Sequence, residues 1–491
     1  MKHFIRAERD EQSLLPSLQE LADRAFSRAA GAPLIAGNHV RLLRDGTENY
    51  PAWLEAIAAA RRHIHFENYI FYDDAVGREF AAALIEKARA GVRVRLVYDW
   101  LGCLGKAPRR FWNALRNNGV EVRCYNPPRL DSPLGWLSRD HRKMLAVDGE
   151  LAFVTGLCVG RMWRGDPARG IEPWRDTGVE IRGPAVAEVE RAFARVWAML
   201  GAPLPEPSPT PPAPAGNMDM RIVASEPATA GMLRLDLMIA ALARKRLWIT
   251  DAYYAGTASY VEALRAAARD GVDVRLLLPN ATDLPLLQPL SRIGYRPLLE
   301  AGVRIFEWKG SMLHAKTAVA DGHWARVGST NLNLASWLGN CELDAVVEND
   351  AFGSAMEAMY LEDLANSTEI VLDRRRRPRA PGEPRLSIQG LGAGAGGSKG
   401  SVSRAAAGAV RLGHTIGATF ADRRLLGPIE ARTATATGVA LIALSLLFAL
   451  FPKALAYPLA GLGLWGGLVL LYRGGRLRAK RRALPAPEEE E

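Results

Sequence analysis

The chain has 491 residues, of which 48% are apolar, and its formal net charge is +10. This apolar content excludes a mainly disordered protein, and the length allows about two to four domains. The absence of a C-x-x-C pair excludes a disulfide-stapled scaffold and a clustered zinc site. The four cysteines are Cys103, Cys124, Cys158 and Cys341.

The positive charge is concentrated at one end of the chain. From Asp373 onward there are 19 basic and 8 acidic residues, whereas 1–372 holds 44 basic and 45 acidic residues. An enzyme that acts on nucleic acid usually spreads basic charge over the surface that contacts the phosphates. We therefore expect no nucleic-acid partner for the large front part.

Two linkers divide the chain into candidate domains. Seven prolines lie within 203–214, and four arginines at 374–377 open a Gly- and Ala-rich stretch. Such segments act as spacers because they lack the residues of a packed core. The predicted organisation is a first lobe (1–201), a Pro-rich linker (202–215), a second lobe (216–372), a basic linker (373–432), two membrane segments (433–451 and 454–472) and a basic, then acidic tail (473–491).

The two lobes contain the same succession of predicted elements. In the first, a strand in HIHFENYIF is followed by the helix REFAAALIEKARAG and the strand VRVRLVYD. In the second, the matching segments are RLWITDAYY, YVEALRAAARDG and VDVRLLLPN. A further helix, glycine turn and strand follow in both, and Gly91 and Gly119 match Gly271 and Gly302. This pattern predicts an α/β fold of two similar lobes, each a mixed sheet flanked by helices.

Two apolar segments near the C-terminus have the length of membrane spans. Thr433–Phe451 and Ala454–Tyr472 each give 19 residues without a charge. At about 1.5 Å per residue, each could cross a hydrocarbon layer of roughly 30 Å. Basic residues flank the pair on both sides, which predicts that both ends and the lobes lie on the cytoplasmic side of the inner membrane. The alternatives are a buried helical hairpin in a soluble domain and a re-entrant insertion.

The motif H-x-K-x-x-x-x-D occurs at the same place in each lobe. On a strand, His and Lys two residues apart project from the same face. Two facing lobes would then bring two imidazoles and two ammonium groups into one cleft. Lysines could neutralise a phosphoryl anion there while one histidine attacks and the other protonates the departing oxygen, with no metal or other cofactor. The motif regions, about 136–163 and 309–336, contain His141, Lys143 and Asp148, and His314, Lys316 and Asp321.

The paired motif resembles that of the phospholipase D superfamily, and the likeness covers roughly 39–372. The second motif is followed by G-S-T-N at 328–331 and N-C-E at 340–342, which match the family's G-S-x-N and N-x-E. The first is followed by W-R-D-T at 174–177, which resembles a segment of bacterial cardiolipin synthases.

This resemblance implies a metal-independent transfer in two steps through a covalent phosphohistidine. His141 is then the expected nucleophile, and His314 the general acid and then base. The expected ligands of the phosphoryl group are Lys143, Lys316, Ser329 and Asn331.

Four carboxylates take supporting roles by the same resemblance. Asp148 and Asp321 are expected to shape and support their strands. Glu342 and Asp176 are expected to orient the histidine of the opposite lobe, because a carboxylate on the far nitrogen fixes the tautomer. For Asp176 the alternative is a surface ion pair with Arg175.

One position departs from the family pattern. The first motif is followed by T-G-L-C, so Cys158 stands where Asn331 stands in the second lobe. A thiol is a poor phosphate donor, and the first lobe would therefore hold a phosphoryl oxygen less well, or accept a variant substrate.

The expected function is that of a cardiolipin synthase-like phosphatidyltransferase that acts on phospholipids, with phosphatidylglycerol as the expected substrate. The basic tail favours an anionic membrane as its partner. The alternatives are a phospholipase D that transfers the phosphatidyl group to water, a nuclease of the same superfamily and a non-enzymatic membrane scaffold. The sequence leaves open which of the two histidines is the nucleophile and whether the enzyme is a transferase or a hydrolase. It also leaves open the donor lipid, the acceptor alcohol, protein partners and the oligomeric state.

Overall fold

The computed structural model describes residues 18–128, 137–205, 210–280, 292, 294–372 and single positions between 446 and 471. The linker 373–432, the tail 473–491 and most of the predicted membrane segments lie outside the described residues. Among the residues that are described, no helix is both long enough and apolar enough to cross a bilayer.

In the described part of the chain, fifteen strands form one mixed sheet. The strands are β1 (Ile35–Arg44), β2 (His63–Asn68), β3 (Arg93–Asp99), β4 (Glu121–Tyr125), β5 (Lys143–Val147), β6 (Leu151–Thr155), β7 (Thr177–Arg182), β8 (Met218–Ser225), β9 (Arg246–Thr250), β10 (Asp273–Pro279), β11 (Arg304–Trp308), β12 (Thr317–Ala320), β13 (Trp324–Gly328), β14 (Glu342–Glu348) and β15 (Ser367–Ile370). The helices are α1 (Leu18–Ala30), α2 (Asp45–Ala59), α3 (Ala75–Arg89), α4 (Arg109–Asn117), α5 (Arg161–Arg164), α6 (Val186–Met199), α7 (Gly231–Leu242), α8 (Ala258–Arg269), α9 (Tyr295–Glu300) and α10 (Asp350–Ala365).

The strand order repeats itself about the centre of the sheet. It runs β15-β11-β10-β9-β12-β13-β14-β8-β1-β7-β6-β5-β2-β3-β4. The parallel strands of the two halves, β2–β4 and β9–β11, lie towards the two ends of the sheet, and β15 is added antiparallel outside β11. In the middle, β1 and β8 pair antiparallel through Ile35↔Met220 and Asn38↔Met218. The predicted α/β class is confirmed. The prediction of one sheet per lobe requires a correction, because this central pairing joins the two halves into a single sheet.

The hydrophobic core also joins the halves. One buried cluster contains Phe193 and Trp197 of α6 together with Met356 and Tyr360 of α10, so it includes apolar residues of both repeats. A second cluster lies within the first half, and a third belongs to the second half apart from Ala30, which ends α1, and Ala32, which follows it. Burial of each large side chain contributes about 1.5–3 kcal/mol, and the shared cluster therefore stabilises the halves against each other.

The glycines that mark the repeat end helices as predicted. Gly91, Gly119, Gly271 and Gly302 each follow a helix and precede a strand, with φ between 88° and 97°. Only glycine adopts this left-handed region at little cost. The helix–glycine–strand units are therefore encoded locally, at equivalent places in the two halves.

Candidate active site

The two His-x-Lys segments lie where β5 and β12 begin, and each is bonded to the opposite half. The backbone N–H of His141 donates to the carbonyl of Cys341 at 2.9 Å, and that of His314 donates to the carbonyl of Arg175 at 2.7 Å. Both histidines therefore precede their strands. At these two positions the backbone N–H therefore donates to a residue of the other half rather than to a neighbouring strand of its own half.

His141 is oriented by a carboxylate of the second half. Its Nδ1 lies 2.9 Å from Oε2 and 3.1 Å from Oε1 of Glu342. Ser329 Oγ donates to Oε2 at 2.6 Å and Asn340 Nδ2 donates to Oε1 at 3.1 Å, so both oxygens of the buried carboxylate are fixed. Burial acts to raise the pKa of Glu342, but His141, Lys143 and the hydrogen bond from Ser329 together hold the pKa below its ordinary value.

His314 has the equivalent arrangement with a carboxylate of the first half. Its Nδ1 lies 2.7 Å from Oδ2 of Asp176, which also accepts the indole N–H of Trp163 at 2.9 Å. The other oxygen of Asp176 accepts the N–H of Thr177 at 2.8 Å. Burial acts to raise the pKa of Asp176, but His314, Lys316 and the backbone N–H of Thr177 together keep the pKa below its ordinary value. Asp176 is fully buried, so the alternative of a surface ion pair with Arg175 is wrong.

Arg175 instead holds the segment that carries Asp176. Its guanidinium donates to both oxygens of Asp363 at 2.8 and 2.9 Å, and to Asp45 at 3.1 Å. Asp45 in turn accepts the backbone N–H of Asp176 at 2.8 Å. The sequence reasoning missed this role, although the adjacency of Arg175 and Asp176 was a signal. Buried arginine fixes a loop well because its planar group donates bidentate bonds.

Both histidines are neutral at physiological pH in this environment. Burial lowers the pKa of His141 to about 4, with Glu342 acting in the opposite direction. Burial, followed by Lys316, lowers the pKa of His314 to about 4 against the effect of Asp176. A neutral imidazole whose Nδ1–H donates to a carboxylate keeps a lone pair on Nε2. Either histidine could therefore act as a nucleophile or a general base.

The motif lysines lie beside their histidines. Lys143 Nζ donates to the carbonyl of His141, and Lys316 Nζ donates to the carbonyl of His314. Burial lowers the pKa of Lys316 to about 8, which still leaves it mostly charged at neutral pH. Lys316 Nζ is also 3.0 Å from Nδ1 of His314. Because Nδ1–H donates to Asp176, we assign this second contact as a close approach rather than a hydrogen bond.

Aromatic rings surround both histidines. Tyr69 lies 4.7 Å from the ring of His141, while Trp163, Trp174 and Tyr253 lie 5.4–5.8 Å from that of His314. Of these rings, only Trp174 belongs to a motif quoted from the sequence, the W-R-D-T segment. These rings exclude water from the histidines, which agrees with the burial that lowers both histidine pKa values.

The remaining expected phosphoryl ligands differ between the halves. Asn331 is buried, and its Oδ1 has no hydrogen-bond partner among the described residues. The hydroxyl of Ser329 donates a hydrogen bond to Glu342, so Ser329 orients this carboxylate. At the place of Asn331 in the first half, Cys158 is fully buried and burial raises the pKa of its thiol. The thiol therefore stays neutral.

This asymmetry predicts unequal effects of two alanine substitutions. Asn331→Ala should lower kcat/KM by about 10- to 100-fold, because it removes a donor to a charged phosphoryl oxygen. Cys158→Ala should change it by less than about threefold, since a thiol offers at best a weak donor. Steady-state kinetics of the two variants, with thermal melts to verify folding, make the comparison. Equal large losses would show that Cys158 contacts the substrate.

The motif aspartates lie at the opposite ends of the motif strands from the histidines. Asp148 accepts the backbone N–H groups of Arg61, Arg62 and His63 at 2.7–2.8 Å. Asp321 accepts those of 244–246 at 2.8–2.9 Å, and both aspartates have φ near 55°. They therefore fix the turns that begin β2 and β9, and they belong with the supporting residues rather than the catalytic ones.

Loss of a motif aspartate should accordingly reduce stability rather than chemistry. Asp148→Ala or Asp321→Ala should lower the free energy of unfolding by about 1–2 kcal/mol, after allowance for solvent screening at these partly exposed sites. The kcat per folded molecule should stay unchanged. Thermal melts measure the first effect and active-site-normalised rates the second, with Asp148→Asn as the milder control. A melting temperature equal to that of the wild type with lost turnover would contradict this role.

One other group of side chains could supply metal ligands. Among the described residues, ligand atoms of His63, His65 and Glu190 lie within 4.8 Å of one another. His63 Nε2 is already 2.7 Å from Glu190, and Arg95 lies 3.4 Å from Nε2 of His65. A neighbouring guanidinium disfavours a bound cation, and Glu190 already pairs with His63. Nδ1 of His65 has no hydrogen-bond partner among the described residues, and the ring stacks on Phe193 with centroids 4.5 Å apart. The group is therefore a packing feature of β2 and α6.

Comparisons with known proteins show which families have a similar sequence and fold. A family model described as "Cardiolipin synthase, PLD-like domain" matches residues 53–197 and 238–364. Cardiolipin synthase A of Pseudomonas aeruginosa (strain LESB58) is 35% identical over 366 residues, which cover 72% of this chain and 73% of that protein. Cardiolipin synthase of Halalkalibacterium halodurans is 32% identical over 368 residues, with 73% and 72% covered.

Among solved structures, the crystal structure of phosphatidylserine synthase from Haemophilus influenzae is similar to this fold. The TM-score is 0.53 at 12% sequence identity, and the match covers 72% of this chain and 94% of that chain. At this identity the likeness concerns the fold alone.

Proposed function

The chain belongs to the cardiolipin synthase family of phospholipase D-like proteins, and we propose from this premise how it acts. It is an enzyme that transfers a phosphatidyl group from one phosphatidylglycerol to a hydroxyl of another and releases glycerol. The observation that carries the proposal is the pair of neutral, buried histidines, each hydrogen-bonded through Nδ1 to a carboxylate of the opposite half. One histidine can attack phosphorus while the other transfers the proton, and the same pair can then pass the phosphatidyl group to a new acceptor.

In the first step, Nε2 of His141 attacks the phosphorus of the donor lipid. The N–P bond forms as the bond between phosphorus and the glycerol oxygen breaks, and His314 gives a proton from Nε2 to that oxygen. The anionic phosphodiester beside His314 raises its pKa from the low value of the empty site, because a nearby negative charge favours imidazolium. Glu342 stabilises the positive charge on His141 as the bond forms.

In the second step, a hydroxyl of the acceptor lipid attacks the phosphohistidine. His314, now neutral, takes the hydroxyl proton while the new P–O bond forms and the N–P bond breaks. Lys143, Lys316 and Asn331 bind the oxygens of the phosphoryl group in both steps, where two ammonium groups and an amide offset its charge. The site is then restored to its starting protonation.

We also propose that the tail anchors the enzyme to the cytoplasmic face of the inner membrane. The described leucines between 446 and 471, together with Phe451 and Tyr457, are 48% to 75% exposed, which suits a lipid surrounding better than water. Six basic residues follow within 473–482, and each contributes roughly 1 kcal/mol near an anionic surface. The two charge-free runs, 433–451 and 454–472, would supply the anchor.

Truncation before Thr433 tests this anchor. The shortened protein should move from the membrane pellet to the soluble fraction, because it loses both apolar runs. Turnover of detergent-dispersed lipid should be largely retained, since the histidines and their carboxylates lie before residue 372. A truncated protein that stays in the pellet after carbonate extraction would show that the anchor lies elsewhere.

Product analysis tests the function itself. The full chain is incubated with phosphatidylglycerol vesicles labelled separately in an acyl chain and in the headgroup glycerol. Cardiolipin with free glycerol supports the transferase, whereas phosphatidic acid with free glycerol would identify a hydrolase. No lipid product would contradict both, and DNA cleavage would then identify a nuclease. The matched control is the chain with both His141→Ala and His314→Ala.

A further inference from the structure

The two orienting carboxylates are held by different donors. Oε2 of Glu342 accepts Ser329 Oγ at 2.6 Å and is also the oxygen nearest Nδ1 of His141. Ser329 directly follows β13. The residue that directly follows the equivalent strand β6 is Gly156, which has no side chain to donate.

Gly156 is required by the close approach of Asp176. A Cβ atom at this position would lie 2.1 Å from Oδ1 and 3.0 Å from Cγ of Asp176. The Asp176 carboxylate cannot easily move aside, because Thr177, Trp163 and His314 all hold it. Asp176 is one methylene shorter than a glutamate, and its carboxylate lies directly against the backbone of Gly156. A serine at position 156 is therefore excluded.

Trp163 supplies the donor that the first half lacks. Its indole N–H donates to Oδ2 of Asp176 at 2.9 Å, and Nδ1 of His314 donates to the same oxygen at 2.7 Å. Trp163 is fully buried and comes from α5, the short helix in the connection between β6 and β7. Its ring also meets that of His314 edge-on, with centroids 5.4 Å apart.

We propose that Trp163 is a positioning residue that acts on His314 through Asp176, as Ser329 acts on His141 through Glu342. The indole N–H fixes the oxygen that receives Nδ1–H, and thereby the tautomer and ring orientation of the general acid. The turnover part of this proposal rests on the proposed function. The hydrogen-bonding part concerns the free enzyme and needs no substrate.

Replacement of Trp163 by 3-benzothienylalanine in the full chain removes the N–H and keeps the shape of the ring. We expect kcat to fall by about 10- to 100-fold, the usual range for a lost bond to a charged group, with KM changed by less than about threefold. The matched control is the same replacement at Trp337, a buried indole that donates to Asp236 at 3.4 Å. That control should lose stability to a similar extent but keep kcat within about threefold.

A second measurement reports on the bond itself. The chain has eight histidines, so ¹⁵N-histidine spectra should resolve the Nδ1–H signals of His141 and His314, with His141→Gln and His314→Gln assigning them. The same variants separate these signals from that of exposed His323, whose Nδ1 lies 2.8 Å from Asp350. Benzothienylalanine at 163 should move only the His314 signal, and Ser329→Ala only the His141 signal. An unmoved His314 signal, or equal kcat values for the 163 and 337 replacements, would overturn the proposal. If wild-type chain made no cardiolipin, the spectra would still decide the role of Trp163.

Discussion

His141→Ala and His314→Ala should each lower kcat by about 10⁴-fold or more, the scale of loss when a nucleophile or its proton-transfer partner is removed. Each histidine has one reactive nitrogen, because Nδ1 is engaged by a carboxylate at 2.9 Å or 2.7 Å. No other described imidazole lies in this arrangement between the halves, so neither loss can be made good by the remaining histidine. Steady-state turnover of vesicle phosphatidylglycerol measures the effect.

The variant that carries both His141→Ala and His314→Ala shows whether the two histidines act together or independently. If the histidines work as one unit, the combined loss should be close to that of either single variant rather than the product of both. Chelation by EDTA should leave wild-type turnover unchanged. Full activity in either single variant, or an EDTA loss that a divalent ion restores, would exclude the two-histidine mechanism.

Glu342→Gln and Asp176→Asn should each lower kcat by about 10³- to 10⁴-fold, because an amide can present N–H to Nδ1 and stabilise the wrong tautomer. The lone pair would then lie on Nδ1, away from the substrate, and the imidazolium would lose its counter-charge. The control is Glu190→Gln, which alters a buried carboxylate that contacts His63 at 2.7 Å outside the site. It should keep kcat within about threefold. Similar kcat losses in all three variants would show a general cost of altering buried carboxylates.

Much of the site could be predicted from sequence because its residues sit in short, repeated motifs. The H-x-K-x-x-x-x-D spacing located His141 and His314, and the family resemblance implied that Glu342 and Asp176 serve the opposite half. The structure places both carboxylates in those contacts, 201 and 138 residues away along the chain. The catalytic roles stay predictions that the variants above test.

Other features depend on contacts that no local pattern encodes. The pairing of β1 with β8 joins residues about 180 apart, and neither strand indicates its partner, so two separate sheets were expected. The contact of Trp163 with Asp176 likewise depends on how α5 folds back towards β7. The supporting role of the motif aspartates can be expected from the sequence, because they lie at the end of the motif strand. Their partners, which include the backbone N–H groups of His63 and Arg246, depend on the fold.

The most direct test of the central claim is to isolate the covalent intermediate. Wild-type chain turning over ³²P-labelled phosphatidylglycerol is quenched in alkali within the first turnover, digested and mapped. The account predicts an acid-labile, alkali-stable label on the peptide that contains His141, chased into lipid by unlabelled phosphatidylglycerol and absent from His141→Ala. Turnover without any covalent label, or a label on His314 instead, would contradict it.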